Sequence, residues 1–234
     1  MRTRQRLGIV ILGILIGCLS ILGVLIAWLG LWIAVAVGAT SALALVACYL
    51  ALIGPWLRRW GATDAEVART LPGDGILRRD APSTTRAVTI DAPPGQVFPW
   101  LLQIGYGRGG WYSYDWLDND GRPSATRIEP ELQRLAPGDR IEMMPGLGPT
   151  VREIEPNHHI VSAGDADSWC LLVERIEGGR SRLISRWRQD WPRTLGTFAW
   201  IAIADPGAFV MEQKMLRTIR RKAELLTVDD EVTR

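Results

Sequence analysis

Tyrosine and acidic side chains are concentrated in one short stretch of the sequence. Tyr112, Tyr114 and Asp115 directly follow the glycine-rich segment 105–110. A tyrosine hydroxyl can orient a ligand carbonyl or hydroxyl, although in a half-buried helix the ring more often serves packing, with its hydroxyl at the rim. The glycine-rich segment has the spacing G-x-G-x-x-G, but in dinucleotide-binding sites those glycines lie between a strand and a helix N-terminus. Here they follow a predicted helix, so we reject nucleotide binding and interpret the segment as a flexible corner.

Metal and nucleophile chemistry find little support in the sequence. The only histidines, His158 and His159, are adjacent, and in the predicted strand their side chains point to opposite faces, where they cannot share a metal ion. The three cysteines, Cys18, Cys48 and Cys170, lie in apolar or strand-like stretches, so they imply no disulfide framework. No G-x-S-x-G, H-E-x-x-H or P-loop motif occurs in the sequence. We therefore expect no metal, no cofactor and no identifiable catalytic residue.

A predicted β-hairpin gives the most specific expectation about a site. A two-residue turn at 178–179 pairs Cys170 with Trp187 and Leu172 with Ser185. One face of the hairpin then carries Cys170, Leu172, Ile176, Leu183, Ser185, Trp187 and Gln189. The other face carries Arg175, Arg182, Arg186 and Arg188, with Trp169, Val173 and Ile184 among them. The arginine face must be outside, because unpaired buried charge is costly. An apolar inner face dotted with polar groups is typical of a ligand cavity.

A predicted C-terminal helix, over about 207–226, adds flexible side chains to this cavity. Met211 and Met215 would supply adaptable packing against a ligand, although ordinary core packing is the commoner role of methionine. We expect nine residues to line the cavity or orient its ligand: Tyr112, Tyr114, Cys170, Leu172, Ser185, Trp187, Gln189, Met211 and Met215.

These residues must be positioned by an α+β domain. Val97, Trp100, Leu101 and Ile104 form one apolar stripe of a helix that Pro94 starts. Seven strands are expected, separated mostly by proline- and glycine-containing turns, near 86–90, 125–128, 139–144, 150–155, 158–163, 168–176 and 180–191. We expect an antiparallel seven-stranded sheet around the long C-terminal helix.

The first 56 residues predict a transmembrane helical hairpin. No charged residue occurs from Leu7 to Ile53, which is too long for one span of about 20 residues and suits two, near 7–28 and 31–53. Arginines flank both ends: Arg2, Arg4, Arg6, Arg58 and Arg59. The positive-inside rule therefore places the N-terminus and the globular domain in the cytoplasm. A lipoprotein signal ending at Cys18, or a cleaved secretory signal, is disfavoured because the apolar stretch continues for more than thirty residues beyond Cys18.

Beyond the apolar segment the chain is nearly neutral. Residues 1–60 hold five of the 27 basic residues and no acidic one, so the remainder carries slightly more acidic than basic side chains. Such a balance offers no electrostatic footprint for nucleic acid. Residues 57–82 are predicted to form a connector with a capped short helix near Thr63 and Glu66. Residues 228–234 are predicted to be a disordered tail.

Four blocks of the sequence resemble the SRPBCC superfamily, whose members have the START-like helix-grip fold. The blocks are WGATDAEVARTLPGD at 60–74, the strand and proline-started helix of 84–117, RIEPELQRLAPGDRI at 127–141 and FVMEQKMLRTIRRKAE at 209–224. The resemblance implies a START-like domain over 83–227, with a sheet around the C-terminal helix and a cavity for a hydrophobic molecule. Members bind or convert many different molecules, so the resemblance implies a ligand type and not a reaction.

Three functions remain open. The leading hypothesis is a membrane-anchored domain that binds a hydrophobic small molecule or lipid. The second is a polyketide cyclase/dehydratase-like enzyme that uses the same cavity, as some members of the superfamily do. The third is a non-catalytic interaction module whose interior is filled by side chains.

Overall fold

The computed structural model describes residues 2–192 and 194–232, and the side chains of most residues from 12 to 226. The chain divides into two compact units, Met1–Pro55 and Trp56–Arg234. The first unit is helical, and the second contains a five-stranded antiparallel sheet and a long C-terminal helix. The α+β class expected from the sequence is therefore confirmed.

The N-terminal unit consists of apolar helices. In chain order they are α1 (Arg2–Leu29), α2 (Leu31–Cys48) and a π-helical turn (Tyr49–Ile53). Helix α3 (Gly54–Arg59) begins in the last two residues of this unit and lies mostly in the second. The first two helices are separated at Gly30, whose φ of 76° favours glycine. By length and composition, two stretches are able to cross a membrane, Leu12–Leu29 and Leu31–Arg59. The helix break lies between the two spans expected near 7–28 and 31–53.

The sheet of the second unit is antiparallel throughout. Its strands are β1 (Ser83–Ile90), β2 (Thr150–Glu155), β3 (His159–Ala163), β4 (Asp167–Arg175) and β5 (Ser181–Gln189). Their spatial order is β1-β5-β4-β3-β2, so the last four strands pair with their sequence neighbours and β1 pairs with β5. Five strands, and not the expected seven, form in the described part of the chain.

Two expected strands, at 125–128 and 139–144, are absent from the described sheet. Residues of 139–144 make only isolated bridges, to Thr150 and Leu147. Proline lacks the N–H that a β-ladder needs, and glycine at positive φ turns the chain. Both residue types follow directly at Pro145, Gly146, Gly148 and Pro149. Apolar alternation alone therefore overestimated the number of strands.

Three short helices and two 3-10 turns precede or connect the strands. They are α4 (Asp64–Ala68), α5 (Pro94–Leu102), α6 (Asp115–Asp118) and the turns Pro130–Arg134 and Glu177–Gly179. The expected capping box forms at the start of α4, between Thr63 and Glu66. The apolar stripe of α5 is buried as expected, with Val97, Trp100 and Leu101 at most 1% exposed.

The C-terminal helix, α7 (Leu195–Val232), is longer than the expected 207–226 and continues through Pro206. Its inner side is buried and apolar, as expected: Phe209, Met215, Leu216, Ile219 and Ala223. The last four of these belong to the same core cluster as Ile90 on β1 and Leu183 on β5. Helix α7 therefore packs on the sheet. Its last five residues, 228–232, lie in the segment expected to be a disordered tail, and residues 233–234 of that segment lie outside the described residues.

The β4–β5 hairpin has a three-residue turn, Glu177–Gly179, rather than the expected two-residue turn. Trp169 therefore pairs with Trp187, and Cys170 pairs with Arg186. A register shift of one residue moves every side chain of a strand to the opposite face. The side chains of β5 lie on the faces that we expected, whereas those of β4 lie on the opposite ones.

The arginine face of β5 is buried beneath residues 60–80. Arg186 and Arg188 are only 4% and 6% exposed. Nη1 of Arg186 donates to Oδ2 of Asp74 at 2.7 Å, and its guanidinium also donates to the carbonyls of Glu66, Val67 and Arg69. Arg188 donates to the carbonyls of Asp74, Arg78 and Arg79. The expectation that this face is outside is corrected: the connector covers it and supplies a partner for each charge.

A third arginine of β5 anchors helix α4. Arg182 binds both carboxylate oxygens of Glu66, at 2.7 and 2.8 Å, and donates to the Gly61 carbonyl at 2.6 Å. The N–H of Thr63 donates to the same carboxylate at 2.7 Å. Burial raises the pKa of the Glu66 carboxyl, but the hydrogen bonds from Arg182 and Thr63 outweigh it and lower the pKa to about 2.

Replacing this carboxylate tests the attachment of the connector. For Glu66→Gln in the full-length protein, we expect the free energy of unfolding at pH 7 to fall by about 1–2 kcal/mol, measured by urea titration followed by near-ultraviolet circular dichroism. The stability contributed by ionised Glu66 is fully present above its ordinary pKa of 4.5 and is lost as the pH falls through about 2. The difference from wild type should therefore shrink on acidification.

A matched control is Glu177→Gln, which makes the same change in the β4–β5 turn and should leave stability unchanged within about 0.5 kcal/mol. Equal stability of wild type and Glu66→Gln at pH 7 would contradict the attachment.

Candidate functional site

A cavity of about 270 Å³, partly open to solvent, lies between the sheet and α7. Its apolar lining consists of Trp111, Met143, Trp169, Trp187, Ala208, Met211 and Met215. Its polar lining consists of Thr84, Arg86, Ser113, Asp118, Gln189, Asp205 and Glu212. A largely apolar cavity with a few converging polar groups is the usual form of a small-molecule site.

Three tryptophans form one wall of the cavity. Trp169 lies between the other two, with ring centroids 5.8 Å from Trp111 and 5.5 Å from Trp187. Nε1 of Trp169 donates to the Ser185 hydroxyl at 2.9 Å, which fixes the middle ring. Cross-strand pairing of β4 with β5 places Trp169 beside Trp187, so the sheet register itself builds this wall. The wall offers a broad aromatic surface to a flat ligand.

An ion pair forms the polar end of the cavity. Arg86 on β1 pairs through Nη1 with Oε2 of Glu212 on α7, and its Nε donates to the Leu57 carbonyl at 2.8 Å. Arg86 pairs with Ser185 in the β1–β5 register, which places it on the same face as the tryptophan wall. Nη2 of Arg86 and Oε1 of Glu212 are buried and have no hydrogen-bond partner among the described residues. The ion pair therefore keeps one donor and one acceptor available to a ligand.

Two indole donors are also unused. Nε1 of Trp111 and Nε1 of Trp187 are buried, and within residues 12–226 as described neither has a hydrogen-bond partner. Burying an unpaired donor costs roughly 1–3 kcal/mol. A ligand oxygen that accepts a hydrogen bond from either indole would offset part of this unfavourable free energy.

Asp118 supplies a buried carboxyl group. Both of its carboxylate oxygens are buried and, in the described part of the chain, form no hydrogen bond of normal geometry. Burial raises the pKa of the Asp118 carboxyl, and nearby groups, including the Ser113 hydroxyl, offset the rise only in part. A carboxyl in this state is able to accept a hydrogen bond, and it keeps its proton to a higher pH than an exposed aspartic acid does.

The charges around the cavity are mostly negative. The lining holds one basic side chain, that of Arg86, and three carboxyl groups, those of Asp118, Asp205 and Glu212. Asp205 is paired with Arg58, whose Nε lies 3.0 Å from Oδ2. Once both ion pairs are formed, the Asp118 carboxyl is the remaining group that an incoming charge would meet. The site therefore disfavours a ligand with an anionic head group.

No protein-family profile matches the chain, and no curated protein matches it. Among solved structures, protein SSP2350 from Staphylococcus saprophyticus is similar at 13% identity and a TM-score of 0.39, over 59% of this chain and 89% of that one. The Polyketide_cyc-like protein Cgl2372 from Corynebacterium glutamicum is similar at 17% identity and a TM-score of 0.32, over 66% and 96% of the two chains. CalU16 from Micromonospora echinospora is similar at 14% identity and a TM-score of 0.32, over 68% and 92%.

One of these neighbours is thus described as Polyketide_cyc-like.

Four of the nine residues expected at the site line the cavity: Trp187, Gln189, Met211 and Met215. The expected position of Cys170 and Leu172 in the cavity is wrong. They lie on the opposite face of the sheet, in a smaller core cluster with Leu71, because the three-residue turn reverses the faces of β4.

The three remaining expected residues lie near the cavity without lining it. The Tyr112 ring is buried, and its hydroxyl accepts a hydrogen bond from Nε2 of Gln103 at 2.8 Å. The Tyr114 ring contacts the Lys214 ammonium, 3.8 Å from the ring centroid. Ser185 holds Trp169, as described above. These side chains support the site and, in this structure, do not face its interior.

Several residues of the cavity were not expected from the sequence: Arg86, Trp111, Asp118, Trp169 and Glu212. Arg86 had a usable signal, because it is the one charged residue in a strand that is otherwise β-branched, apolar or small. Trp169 was assigned to the wrong face by the two-residue turn. Asp118 and Glu212 carried no local signal, since only the tertiary fold brings α6 and α7 to the same cavity.

Cys170 tests the corrected face of β4. Burial raises the pKa of its thiol to about 12, so almost no reactive thiolate exists at pH 8. In a Cys18→Ala, Cys48→Ala background, we expect Cys170 to react with a thiol reagent such as DTNB at least about 100-fold more slowly than in urea-unfolded protein. The absorbance of the released thiolate measures both rates. Rapid labelling of the folded protein would indicate that Cys170 faces the solvent-accessible cavity and would contradict the corrected face of β4.

Proposed function

We propose that this chain is a membrane-anchored protein whose START-like, helix-grip domain binds a hydrophobic small molecule in the cavity between the sheet and α7. The observation that carries the proposal is the tryptophan wall beside buried polar atoms that lack partners. A cavity that served only packing would be filled by side chains and would satisfy its polar groups internally. The interaction module with a filled interior is therefore disfavoured.

The polar end supports an uncharged ligand. The free donors, on Arg86, Trp111 and Trp187, suit a carbonyl or hydroxyl oxygen. The free acceptors, on Asp118 and Glu212, suit a hydroxyl proton. An anionic head group would meet carboxylates and lose its hydration without compensation. A flat apolar molecule bearing a hydroxyl or carbonyl group fits this arrangement best.

A membrane anchor also fits a protein that binds a hydrophobic small molecule. A sparingly soluble ligand concentrates in the bilayer, and a tethered cavity samples that high local concentration without needing any further contact. The two apolar helical stretches, with arginines at both ends, are suited to a two-pass anchor whose termini face the cytoplasm.

Catalysis is a second candidate function, and Asp118 favours it. A buried carboxyl with a raised pKa next to an open cavity is placed to donate or accept a proton. A cyclisation or dehydration of the polyketide cyclase type needs such a group. Binding remains the leading proposal because the cavity needs no turnover to explain its free polar atoms.

A pair of matched probes tests the ligand class. We expect 2-naphthol to bind full-length protein in detergent at least about tenfold more tightly than 2-naphthoate, because only the second brings an anion to the acidic cavity. Isothermal titration calorimetry measures both affinities, and Asp118→Asn should reduce the ratio. Chromatography with mass spectrometry of a co-purified lipophile incubated with the protein decides between the two functions, because dehydration lowers its mass and cyclisation changes its retention time, whereas binding alone changes neither.

A cavity-filling variant gives the control for this experiment. Ala208→Trp should abolish naphthol binding, whereas Val210→Trp, on the exposed side of the same helix, should retain it. Equal binding by the two variants, or tighter binding of 2-naphthoate, would contradict the proposal.

The anchor is tested by cysteine labelling. In a chain without native cysteines, we expect Thr3→Cys and Leu225→Cys to react with a membrane-impermeant maleimide in inside-out membrane vesicles and not in right-side-out ones. Both positions flank or follow the apolar segment on the side that the positive-inside rule assigns to the cytoplasm. Labelling of Leu225→Cys from the outside would overturn the orientation, and loss of the protein from washed membranes would overturn the anchor itself.

A further inference from the structure

Three potential metal ligands converge at the turn between β2 and β3. Nδ1 of His158 lies 2.9 Å from Nδ1 of His159 and 3.1 Å from Oε2 of Glu155. Nδ1 of His159 lies 3.5 Å from the same oxygen. The three atoms thus form a compact triangle of two imidazole nitrogens and one carboxylate oxygen.

The turn explains how adjacent histidines meet. If both residues lay in a strand, their rings would point to opposite faces. Strand β3 begins only at His159, and His158 belongs to the preceding turn, where Asn157 has a φ of 59°. The turn rotates the His158 ring, so that the two ring centroids lie 5.0 Å apart. A shared metal site was not expected, because both rings were placed on opposite faces of one strand. In the structure the two rings meet, so that reason does not apply.

The spacing of the triangle matches a tetrahedral metal centre. Zinc binds imidazole nitrogen and carboxylate oxygen at about 2.0–2.2 Å, which sets two ligand atoms of a tetrahedron about 3.3 Å apart. The observed separations, 2.9, 3.1 and 3.5 Å, lie around that value. An ion about 2.0–2.2 Å from all three atoms would sit roughly 1 Å from their plane, close to the roughly 0.7 Å of a regular tetrahedron.

A fourth residue, Glu153, lies near the second ring nitrogen of His159. The His159 side chain is only 3% exposed, and its Nε2 lies 3.2 Å from Oε1 of Glu153. Metal-binding histidines usually direct their second ring nitrogen to a carboxylate, which fixes the tautomer that leaves the first nitrogen free to bind. Glu153 is near enough for this role after a change of its rotamer, because Nε2 of His159 has no hydrogen-bond partner among the described residues, and Nδ1 of His159 is turned toward Glu155.

We propose that Glu155, His158 and His159 form a binding site for a divalent transition-metal ion of the zinc class. Imidazole ligands favour zinc, copper or nickel over magnesium and calcium, which prefer oxygen ligands. The side chains of His158 and Glu155 are 41% and 60% exposed, so solvent reaches the remaining coordination position. His159 pairs with Leu172, on the sheet face opposite the tryptophan wall, so the site is separate from the cavity.

The test measures zinc binding by the full-length protein in detergent, purified without a polyhistidine tag and in the Cys18→Ala, Cys48→Ala background. Equilibrium dialysis with ZnCl₂, followed by elemental analysis, should give one zinc ion per chain. Glu155→Gln and His158→Gln each remove one ligand at an exposed position, where the fold is retained. Each should raise the dissociation constant at least about tenfold, since loss of an outer-shell partner alone typically costs 10–100-fold.

Two further measurements complete the test. Glu131→Gln makes the same chemical change in the 3-10 turn Pro130–Arg134 and should bind zinc as the parent protein does. Co²⁺ should give the intense visible absorption of tetrahedral coordination in the parent protein and not in His158→Gln. Absence of stoichiometric zinc, or equal affinity in all of these variants, would overturn the site.

Discussion

The burial of the β5 arginines beneath the connector is the interaction on which the rest of the domain depends. A guanidinium removed from water is tolerated only when its donors are satisfied, and here backbone carbonyls of residues 60–80 and the Asp74 carboxylate satisfy those of Arg186 and Arg188. The connector is consequently part of the folded domain and not a loose linker. Because these charges occupy one face of β5, its alternate residues are left for the other face.

That other face builds the cavity. Along β5, Ser185 and Trp187 alternate with the arginines, and the neighbouring strands add Trp169 and Arg86 to the same side. The two faces differ in how completely their polar groups are hydrogen-bonded. Beneath the connector each arginine has several partners, whereas beside the tryptophan wall Nη2 of Arg86 has none among the described residues. This contrast within one sheet favours a ligand site over imperfect packing.

The turns at the ends of the strands decide where chemistry is possible. The three-residue turn Glu177–Gly179 sets the β4 register and so brings Trp169 to the cavity. The turn before β3 brings His158 to the ring of His159 on the opposite face. In both places the conformation of one or two turn residues determines which side chains meet. The reason is that successive side chains of a strand point to opposite faces of the sheet.

The amino-acid sequence by itself determined the features that follow from one local pattern. These are the apolar segment able to span a membrane, the capping box at Thr63, the buried stripe of α5 and the inner side of α7. Only the tertiary structure decided the register of β4, the cover over Arg186, and the placement of Asp118 and Glu212 at one cavity. The reason is physical: periodicity reports which side of an element is buried, but the partner that buries it lies far away in the chain, and two turn lengths differing by one residue are both compatible with the same alternation.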